Sequence, residues 1–261
     1  MTRAKKSLGQ HFLMHARIAE RIARAAKLAP NATVLEIGPG TGVLTRELLK
    51  LAKRVVAVEA DKELFEKLKI DFAAEIAEGK LELMYGDIRN YPINPAIAGN
   101  SGYQVVANIP YYLTGEIFRM FLTAEHQPSS MTLLVQKEVA DRIIARPSKP
   151  LDSARGKESL LSLSVKAYGT PKREFVVPRG AFNPAPKVDS AVIAVRDISR
   201  KHFSARDSEK RFFELLHAGF AHKRKFVRKN LVEASLPQGD IPEKARAEDL
   251  RLEDWLALAR V

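Results

Sequence analysis

Three glycines between an apolar run and a helical pattern mark the first place where this sequence could bind a ligand. The run 33–37 leads directly into Gly38, Gly40 and Gly42, and the pattern that follows at 43–52 is amphipathic. Glycines at a strand-to-helix turn let the backbone approach a ligand closely, and the first N–H groups of the helix can bind it. Such a turn also occurs as a tight connection without a ligand. It predicts a nucleotide-like ligand only together with other residues.

The spacing of the glycines disfavours one class of cofactor. Val43 stands where the third glycine of a dinucleotide-binding G-x-G-x-x-G turn would be. That third glycine allows close helix–strand packing in nicotinamide- and flavin-binding folds. A nicotinamide-dependent reductase is therefore the most distant alternative.

Two acidic residues follow later apolar runs at positions that suit the glycine turn. Glu59 ends the next run, 21 residues after Gly38, and Asp87 follows the run after that. Glu59 could accept both hydroxyls of a ribose, and Asp87 could accept hydrogen bonds from an adenine amine, with Ile88 beside the ring. Acidic residues at strand ends are also frequent helix N-caps, so that alternative stays open for each.

The sequence from Asn108 to Tyr111 is the candidate catalytic loop. An adenine amine is a poor nucleophile, so an enzyme gains by accepting its N–H bonds and holding it in line with a methyl group. The Asn108 side-chain oxygen and the carbonyl of Pro110 or of its neighbour could accept these bonds, and Tyr111 could stack on a flipped base. Phe182, beside a proline-rich loop, is a candidate second stacking face; a place in the hydrophobic core is its alternative.

The elements that must position these residues alternate between strand and helix character. This alternation predicts a parallel sheet covered by helices on both faces. Two further β-rich runs, 172–178 and 189–196, are predicted to close the sheet as an antiparallel pair, giving seven strands in all. The five earlier runs are 33–37, 54–59, 81–86, 103–108 and 131–136.

The chain divides near residue 198, where the strand pattern stops and helical patterns continue to the C-terminus. We predict a sheet domain at 1–197 with a basic N-terminal arm, and a small helical domain at 198–261. The segment 146–158 is polar and rich in residues that break helices and strands, which indicates a surface loop.

Composition points to a nucleic-acid partner. The 261 residues include 43 Lys and Arg against 31 Asp and Glu, a net charge of +12, and no cysteine. Residues 196–230 hold eleven basic and four acidic residues, and residues 1–27 hold seven and one. Both ends are therefore expected to contact a polyanion. No metal-binding spacing, membrane span or secretory signal is present in the sequence, so a cytoplasmic protein without a metal is expected.

At this point the sequence closely resembles the ribosomal RNA adenine dimethyltransferase family, whose bacterial members confer kasugamycin sensitivity. The resemblance covers nearly the whole chain. It rests on KKSLGQHFL (5–13), LEIGPGTGVLT (35–45), VEADKEL (58–64), GDIRNY (86–91), NIPYYLTGEI (108–117), VPRGAFNPAPKVDSAV (177–192) and LRLEDWLALAR (250–260).

The resemblance implies a Rossmann-like class I methyltransferase fold that binds S-adenosyl-L-methionine. It also implies that His11 and Leu13 join the cofactor residues. The set predicted for the cofactor is His11, Leu13, Gly38, Gly40, Glu59, Asp87, Ile88 and Asn108. The basic helical tail would bind rRNA, and the phosphate contacts chosen within it are Lys223, Arg224, Lys225, Arg228 and Lys229. A solvated helix face is the alternative for each of these. The loop 146–158 departs from the family pattern, which affects only the substrate side.

The implied reaction is the dimethylation of two adjacent adenosines near the 3′ end of small-subunit (16S) rRNA, by a monomer acting on the immature 30S particle. The first alternative is a methyltransferase for a large-subunit rRNA adenine, from which the GQHFL arm, the FNPAPKVDSAV loop and the tail LEDWLALAR point away. The second is an rRNA-binding assembly factor.

Overall fold

The computed structural model describes Lys5 and residues 9–91, 102–145 and 157–260. The chain forms two compact units, one of residues 1–140 and 172–198 and one of residues 141–171 and 199–261. The strands are β1 (Phe12–Leu13), β2 (Thr33–Ile37), β3 (Arg54–Glu59), β4 (Leu81–Tyr85), β5 (Tyr103–Asn108), β6 (Ser130–Gln136), β7 (Thr170–Val177), β8 (Phe182–Asn183) and β9 (Ser190–Arg196). The helices are α1 (Ala16–Ala25), α2 (Val43–Leu51), α3 (Lys62–Asp71), α4 (Ala73–Ala77), α5 (Thr114–Leu122), α6 (Lys137–Ile144), α7 (Leu160–Lys166), α8 (Arg206–Gly219), α9 (Val227–Glu233) and α10 (Leu252–Leu258).

A seven-stranded sheet in the order β4-β3-β2-β5-β6-β9-β7 forms the centre of the first unit. β2 pairs in parallel with β3 and β5, β3 with β4, and β5 with β6, whereas β9 runs antiparallel to β6. The predicted fold class is confirmed, and every predicted strand begins and ends within two residues of the observed one.

The strands form where the sequence is rich in β-branched residues. All of β3 except Arg54 is buried, and so is all of β5 except Asn108. Because successive side chains of a strand point to opposite faces, such runs require cover on both faces of the sheet. On one face, Val34, Ala57 and Val106 share a hydrophobic cluster with residues of α1 and α2.

Gly42 begins α2 in a left-handed conformation, with φ 78°. A Cβ placed on Gly42 would lie 2.6 Å from the Phe72 ring and 3.0 Å from Leu68. Gly79 also has a positive φ, 70°, but nothing lies within 4 Å of the Cβ it would carry. A side chain at Gly79 would therefore meet backbone strain alone, whereas a side chain at Gly42 would meet both backbone strain and steric overlap.

We expect Gly42→Ala to destabilise the protein more than Gly79→Ala. Each substitution costs roughly 1–2 kcal/mol of backbone strain, and overlap with Phe72 adds about 1–3 kcal/mol at Gly42. Thermal and urea unfolding of the two variants beside the parent would measure this difference. An equal loss in both variants would show that Phe72 can move aside at little cost.

The second unit is helical and includes more of the chain than the predicted domain 198–261. It also contains residues 141–171. The buried carboxylate of Glu158 accepts hydrogen bonds from Ser162 and Lys166, and the Glu158 amide donates to the Glu248 carbonyl (2.9 Å). Tyr168 donates a hydrogen bond to Glu209. The contacts Glu158–Glu248 and Tyr168–Glu209 join residues 90 and 41 positions apart in the chain, so sequence order alone does not indicate them. Residues 146–156 of the predicted surface loop lie outside the described residues.

The basic residues of the second unit do not all lie on a helix, contrary to the prediction of a helical tail. Lys223, Arg224 and Lys225 lie in the turn between α8 and α9, and only Arg228 and Lys229 lie in α9. The buried Asn230 amide holds this turn, because it donates to the carbonyl oxygens of Gly219 (2.7 Å) and His222 (3.2 Å). An asparagine that bonds two main-chain carbonyls offers the chain an alternative to continued helix.

Candidate active site

The carboxyl ends of neighbouring parallel strands open into one cleft within the first unit. The strand order reverses between β2 and β5, which is where ligands bind in open α/β sheets. The cleft holds about 1050 Å³ of empty space, counting the part open to solvent. The predicted residues that line it are His11, Leu13, Gly38, Gly40, Glu59, Asp87, Ile88, Asn108, Pro110 and Tyr111.

Glu59 is fixed in this cleft by main-chain donors. Its Oε2 accepts from the Gly40 amide and its Oε1 from the Asp61 amide, both at 2.9 Å. The side chain is almost fully buried, and burial raises its pKa because a charge is poorly solvated there. The hydrogen bonds from Asp61 and Gly40 act in the opposite direction. The carboxylate therefore links the end of β3 to the glycine turn after β2.

Glu36 is a cleft residue that the sequence analysis did not select. It lies within β2, is 1% exposed, and its Oε2 has no hydrogen-bond partner in the part of the chain that the structure describes. Burial, together with the nearby charge of Glu59, raises the pKa of Glu36 to about 8. The carboxyl group is therefore mostly protonated at neutral pH. An acidic residue inside the apolar run TVLEI was the signal that could have found it.

Asp87 is engaged by Arg89, another cleft residue that was not predicted. Its Oδ1 accepts from the Arg89 amide (2.9 Å), and its Oδ2 accepts from Arg89 Nη2 (2.6 Å). The guanidinium lowers the pKa of Asp87, so this carboxylate stays charged at neutral pH. The capping role left open for Asp87 is present, since it caps the 3₁₀ turn Ile88–Asn90. Its bond to an adenine amine stays a prediction.

The loop after β5 presents one amide oxygen and one aromatic ring. Asn108 Nδ2 donates to the His11 carbonyl (3.1 Å), which leaves Oδ1 as the acceptor of this side chain. The Pro110 carbonyl accepts from the Leu113 amide (3.0 Å) and has a second lone pair. The Tyr111 hydroxyl bonds Ser190 Oγ (2.6 Å), and burial raises its pKa.

The N-terminal arm forms a wall of the same cleft. β1 pairs antiparallel with β8, and His11 stacks on Tyr111 with 5.6 Å between ring centroids. His11 Nδ1 also donates to the Pro184 carbonyl (2.7 Å). The arm thereby contacts both the catalytic loop and the proline-rich loop around residue 184.

A carboxylate after β3 fastens the start of this arm. Asp61 is buried, and it accepts hydrogen bonds from Lys5 Nζ (2.8 Å) and Gln10 Nε2 (3.1 Å). The Asp61 amide also donates a hydrogen bond to Glu59. Asp61 therefore joins the N-terminal arm to the carboxylate at the end of β3. None of these long-range bonds follows from sequence spacing.

Among the residues predicted for the cofactor and the reaction, Phe182 does not line the cleft. It is 4% exposed, pairs with Leu13 between β8 and β1, and belongs to the hydrophobic cluster. This placement favours the core alternative, and its stacking role stays a prediction.

The described residues contain neither a candidate metal site nor a candidate membrane-spanning helix. Across Lys5, 9–91, 102–145 and 157–260, no group of three His, Asp or Glu side chains is arranged to hold a metal ion. Within the same ranges no helix is long and apolar enough to cross a membrane.

Comparison with known sequences gives one family. The model of the family described as ribosomal RNA adenine dimethylase matches residues 1–261. The ribosomal RNA small subunit methyltransferase A of Dehalococcoides mccartyi is 40% identical over 269 positions, which cover 99% of this chain and 88% of the relative. That of Thermosynechococcus vestitus is 39% identical over 274 positions, covering 100% and 97%.

Two solved structures share the fold over nearly the whole chain. A dimethyladenosine transferase from Plasmodium falciparum has a TM-score of 0.75 and 25% identity, covering 95% of this chain and 96% of its own. The 23S rRNA methyltransferase ErmE has a TM-score of 0.73 and 26% identity, covering 95% and 98%. One of these two proteins is named for 23S rRNA, and the name of the other specifies no ribosomal RNA.

Proposed function

The chain belongs to the ribosomal RNA adenine dimethylase family, and from that premise we propose that it transfers methyl groups from S-adenosylmethionine to two adjacent adenosines of small-subunit rRNA. The acceptors are the exocyclic N6 amines near the 3′ end of the 16S rRNA. The observation that carries the proposal is that Glu59, the glycine turn and Asn108 line one cleft at the point where the strand order reverses. We further propose that the protein acts as a monomer in the cytoplasm on the immature small subunit.

The residues present fit this cofactor. Glu59 has acceptor sites beyond those that Gly40 and Asp61 use, so it can accept the hydroxyls of a ribose. Nothing would contact a Cβ on Gly38 within 4 Å, so there is open space at the turn. The buried Glu36 carboxyl also lines the cleft, beside the Thr45 hydroxyl, and its protonated form could donate a hydrogen bond to a ligand. When bound, S-adenosylmethionine supplies an electrophilic methyl group.

The catalytic loop would orient the attacking amine. Asn108 Oδ1 and the second lone pair of the Pro110 carbonyl accept the two N–H bonds, which aims the nitrogen lone pair out of the adenine plane. Tyr111, fixed by Ser190 and backed by His11, stacks on the base. Because the amine proton leaves after the nitrogen has become cationic, the site needs no strong base beside it.

A large-subunit rRNA methyltransferase is the first alternative, since the fold is shared with ErmE. The relatives named for the small subunit are more similar to this chain, at 39–40% identity against 26%. They also align over 98% or more of this chain, including the arm and the C-terminal helices. An assembly role without catalysis would not require the unpartnered Glu36 or the fixed Glu59.

Mass spectrometry of rRNA tests the proposal directly. Small-subunit rRNA from cells with and without this gene should differ by two adjacent dimethyladenosines near the 3′ end. The purified protein should restore them on subunits from the deleted strain when S-adenosylmethionine is added. Dimethyladenosine that instead changes only in large-subunit rRNA would establish the alternative.

The basic turn of the second unit gives a prediction about RNA affinity. Lys223 and Arg224 are exposed and form no ion pair with the described residues, whereas Lys225 pairs with Glu233 (2.7 Å). We expect Lys223→Gln combined with Arg224→Gln to lower the slope of log affinity against log salt by about 1.5 units, at roughly 0.7–0.9 per lost phosphate contact. The methylated positions should not change.

Filter binding to small-subunit particles across a salt series, with modification mapping on the same samples, measures this effect. The matched control is Lys53→Gln combined with Lys80→Gln. These two exposed lysines precede β3 and β4, at the sheet edge opposite the cleft. An unchanged slope in the first variant, or an equal change in the control, would show that the turn is only a solvated surface.

A further inference from the structure

Tyr112 is an exposed aromatic side chain at the cleft that the reaction described above does not use. It is 60% exposed and lines the cleft directly after Tyr111. Its hydroxyl forms no hydrogen bond with the described part of the chain. The ring face is therefore available to a flat partner.

The ring is braced by the N-terminal arm. A Cβ on Gly9 would lie 3.0 Å from Tyr112 Cε1, 3.2 Å from its Cδ1 and 3.6 Å from Pro110 Cβ. Gly9 also has a φ of 59°, a conformation that other residues rarely adopt. Both the space and the backbone conformation thus favour glycine at this position. Glycine lets the backbone of the arm lie close against the Tyr112 ring. A ring supported in this way loses little conformational freedom when a ligand stacks on it.

One cation lies near the ring, since Arg89 interacts electrostatically with Tyr112 as well as with Asp87 and Glu116. Arg89 lines the same cleft, and its side chain is 44% exposed. Its bonds to Asp87 use Nε and Nη2 and leave Nη1 as a donor. An aromatic face next to a guanidinium donor is the combination that binds unpaired nucleotides, with the base on the ring and the phosphate on the cation.

We propose that Tyr112 is a stacking platform for the RNA base adjacent to the adenosine being methylated. This inference rests on the proposed function, because the base that would stack on Tyr112 is the neighbour, on the same RNA strand, of the adenosine that is methylated. The target base must reach Asn108 and Tyr111, whereas Tyr112 is the next residue along the chain and is far more exposed than Tyr111. Stacking of the neighbouring base would hold the strand open and compensate for the unstacking of the target.

The test compares three variants on small-subunit particles. We expect Tyr112→Ala to raise the KM for the particle roughly 5- to 100-fold, the range for loss of one base–aromatic stack. The kcat and the cofactor affinity by calorimetry should stay near the parent values. Tyr112→Phe should behave like the parent, because the ring carries the contact. The matched control is Tyr85→Ala, since Tyr85 is similarly exposed, at 57%, and does not line the cleft.

Three results would overturn the platform. A weaker cofactor affinity with an unchanged particle KM would show that the ring covers the cofactor instead. An equal loss in Tyr112→Phe would assign the effect to the hydroxyl. An equal loss in Tyr85→Ala would show a general effect of removing a surface tyrosine. If the parent protein does not methylate the particle, the proposed function fails. Filter binding of the same variants to the particle then still tests the platform: weaker binding by Tyr112→Ala supports it, and binding equal to the parent overturns it.

Discussion

Asn108→Ala should lower the methylation rate by about 100-fold or more, the effect of losing one hydrogen-bond partner that acts in the transition state. The side-chain oxygen is the proposed acceptor for the adenine amine, and alanine removes it. Cofactor affinity should change only a few-fold, because we propose that Glu59 and the glycine turn provide the main contacts to the cofactor. The rate effect is therefore expected to exceed the binding effect by a wide margin.

Asn108 has a second contact that the experiment must separate from the first. Its Nδ2 donates to the His11 carbonyl, so alanine also releases the arm at this point. Asn108→Asp keeps an acceptor oxygen, replaces the donor NH2 group by a second oxygen and adds a negative charge. If the acceptor matters most, the aspartate variant should retain clearly more activity than the alanine variant. If the arm contact matters most, both variants should fall alike.

Single-turnover methylation of small-subunit particles, with cofactor binding measured by calorimetry on the same preparations, supplies both numbers. Retention of near-parent turnover in Asn108→Ala would remove the assigned role. A loss confined to cofactor affinity would leave Asn108 only the second role predicted for it, that of a cofactor residue.

The sheet and the location of the cleft could be predicted from sequence because both depend on local pattern. Strand runs such as 54–59 and 103–108 are nearly continuous apolar segments between helical patterns, and burial on both faces follows from that pattern. Glu59 and Asn108 end their strands, so the parallel order of the sheet brings them to one edge without further information. The cleft residues at the carboxyl ends of these strands were predictable for this reason.

The contacts that the sequence did not reveal are those between segments far apart in the chain. Lys5 and Gln10 bind Asp61, and His11 binds Pro184; no spacing rule indicates either contact. Phe182 was ambiguous because an aromatic residue beside a loop is equally suited to a core, where it lies. The turn at 223–225 was predicted as helix because the helical pattern continues on both sides of it, and the Asn230 side chain stabilises a turn there through its bonds to two carbonyls.

Glu59→Ala should weaken S-adenosylmethionine binding by about 2 kcal/mol or more, close to 30-fold in Kd, because two charge-assisted hydrogen bonds to the ribose are lost together. The matched control is Glu66→Ala, a carboxylate on α3 that is half exposed and does not line the cleft. Calorimetry should show parent-like affinity in the control. NADH serves as the counter-ligand and should bind neither variant nor the parent.

The pH dependence of binding gives the same carboxylate a second signature. Burial raises the pKa of Glu59, so the free protein takes up a proton there at a higher pH than an exposed glutamate would. Ribose hydroxyls favour the ionised form, so cofactor affinity should fall as pH drops through the pKa of Glu59. Burial raises the pKa of the neighbouring Glu36 to about 8, so a series kept below about pH 7 leaves this carboxyl mostly protonated. The Glu59→Gln variant cannot ionise, so its affinity should be lower and should vary less with pH across the series.

A parent protein whose affinity is the same at every pH of the series would show that Glu59 does not bind the cofactor as a carboxylate. Micromolar binding of NADH without binding of S-adenosylmethionine would contradict the methyltransferase assignment itself.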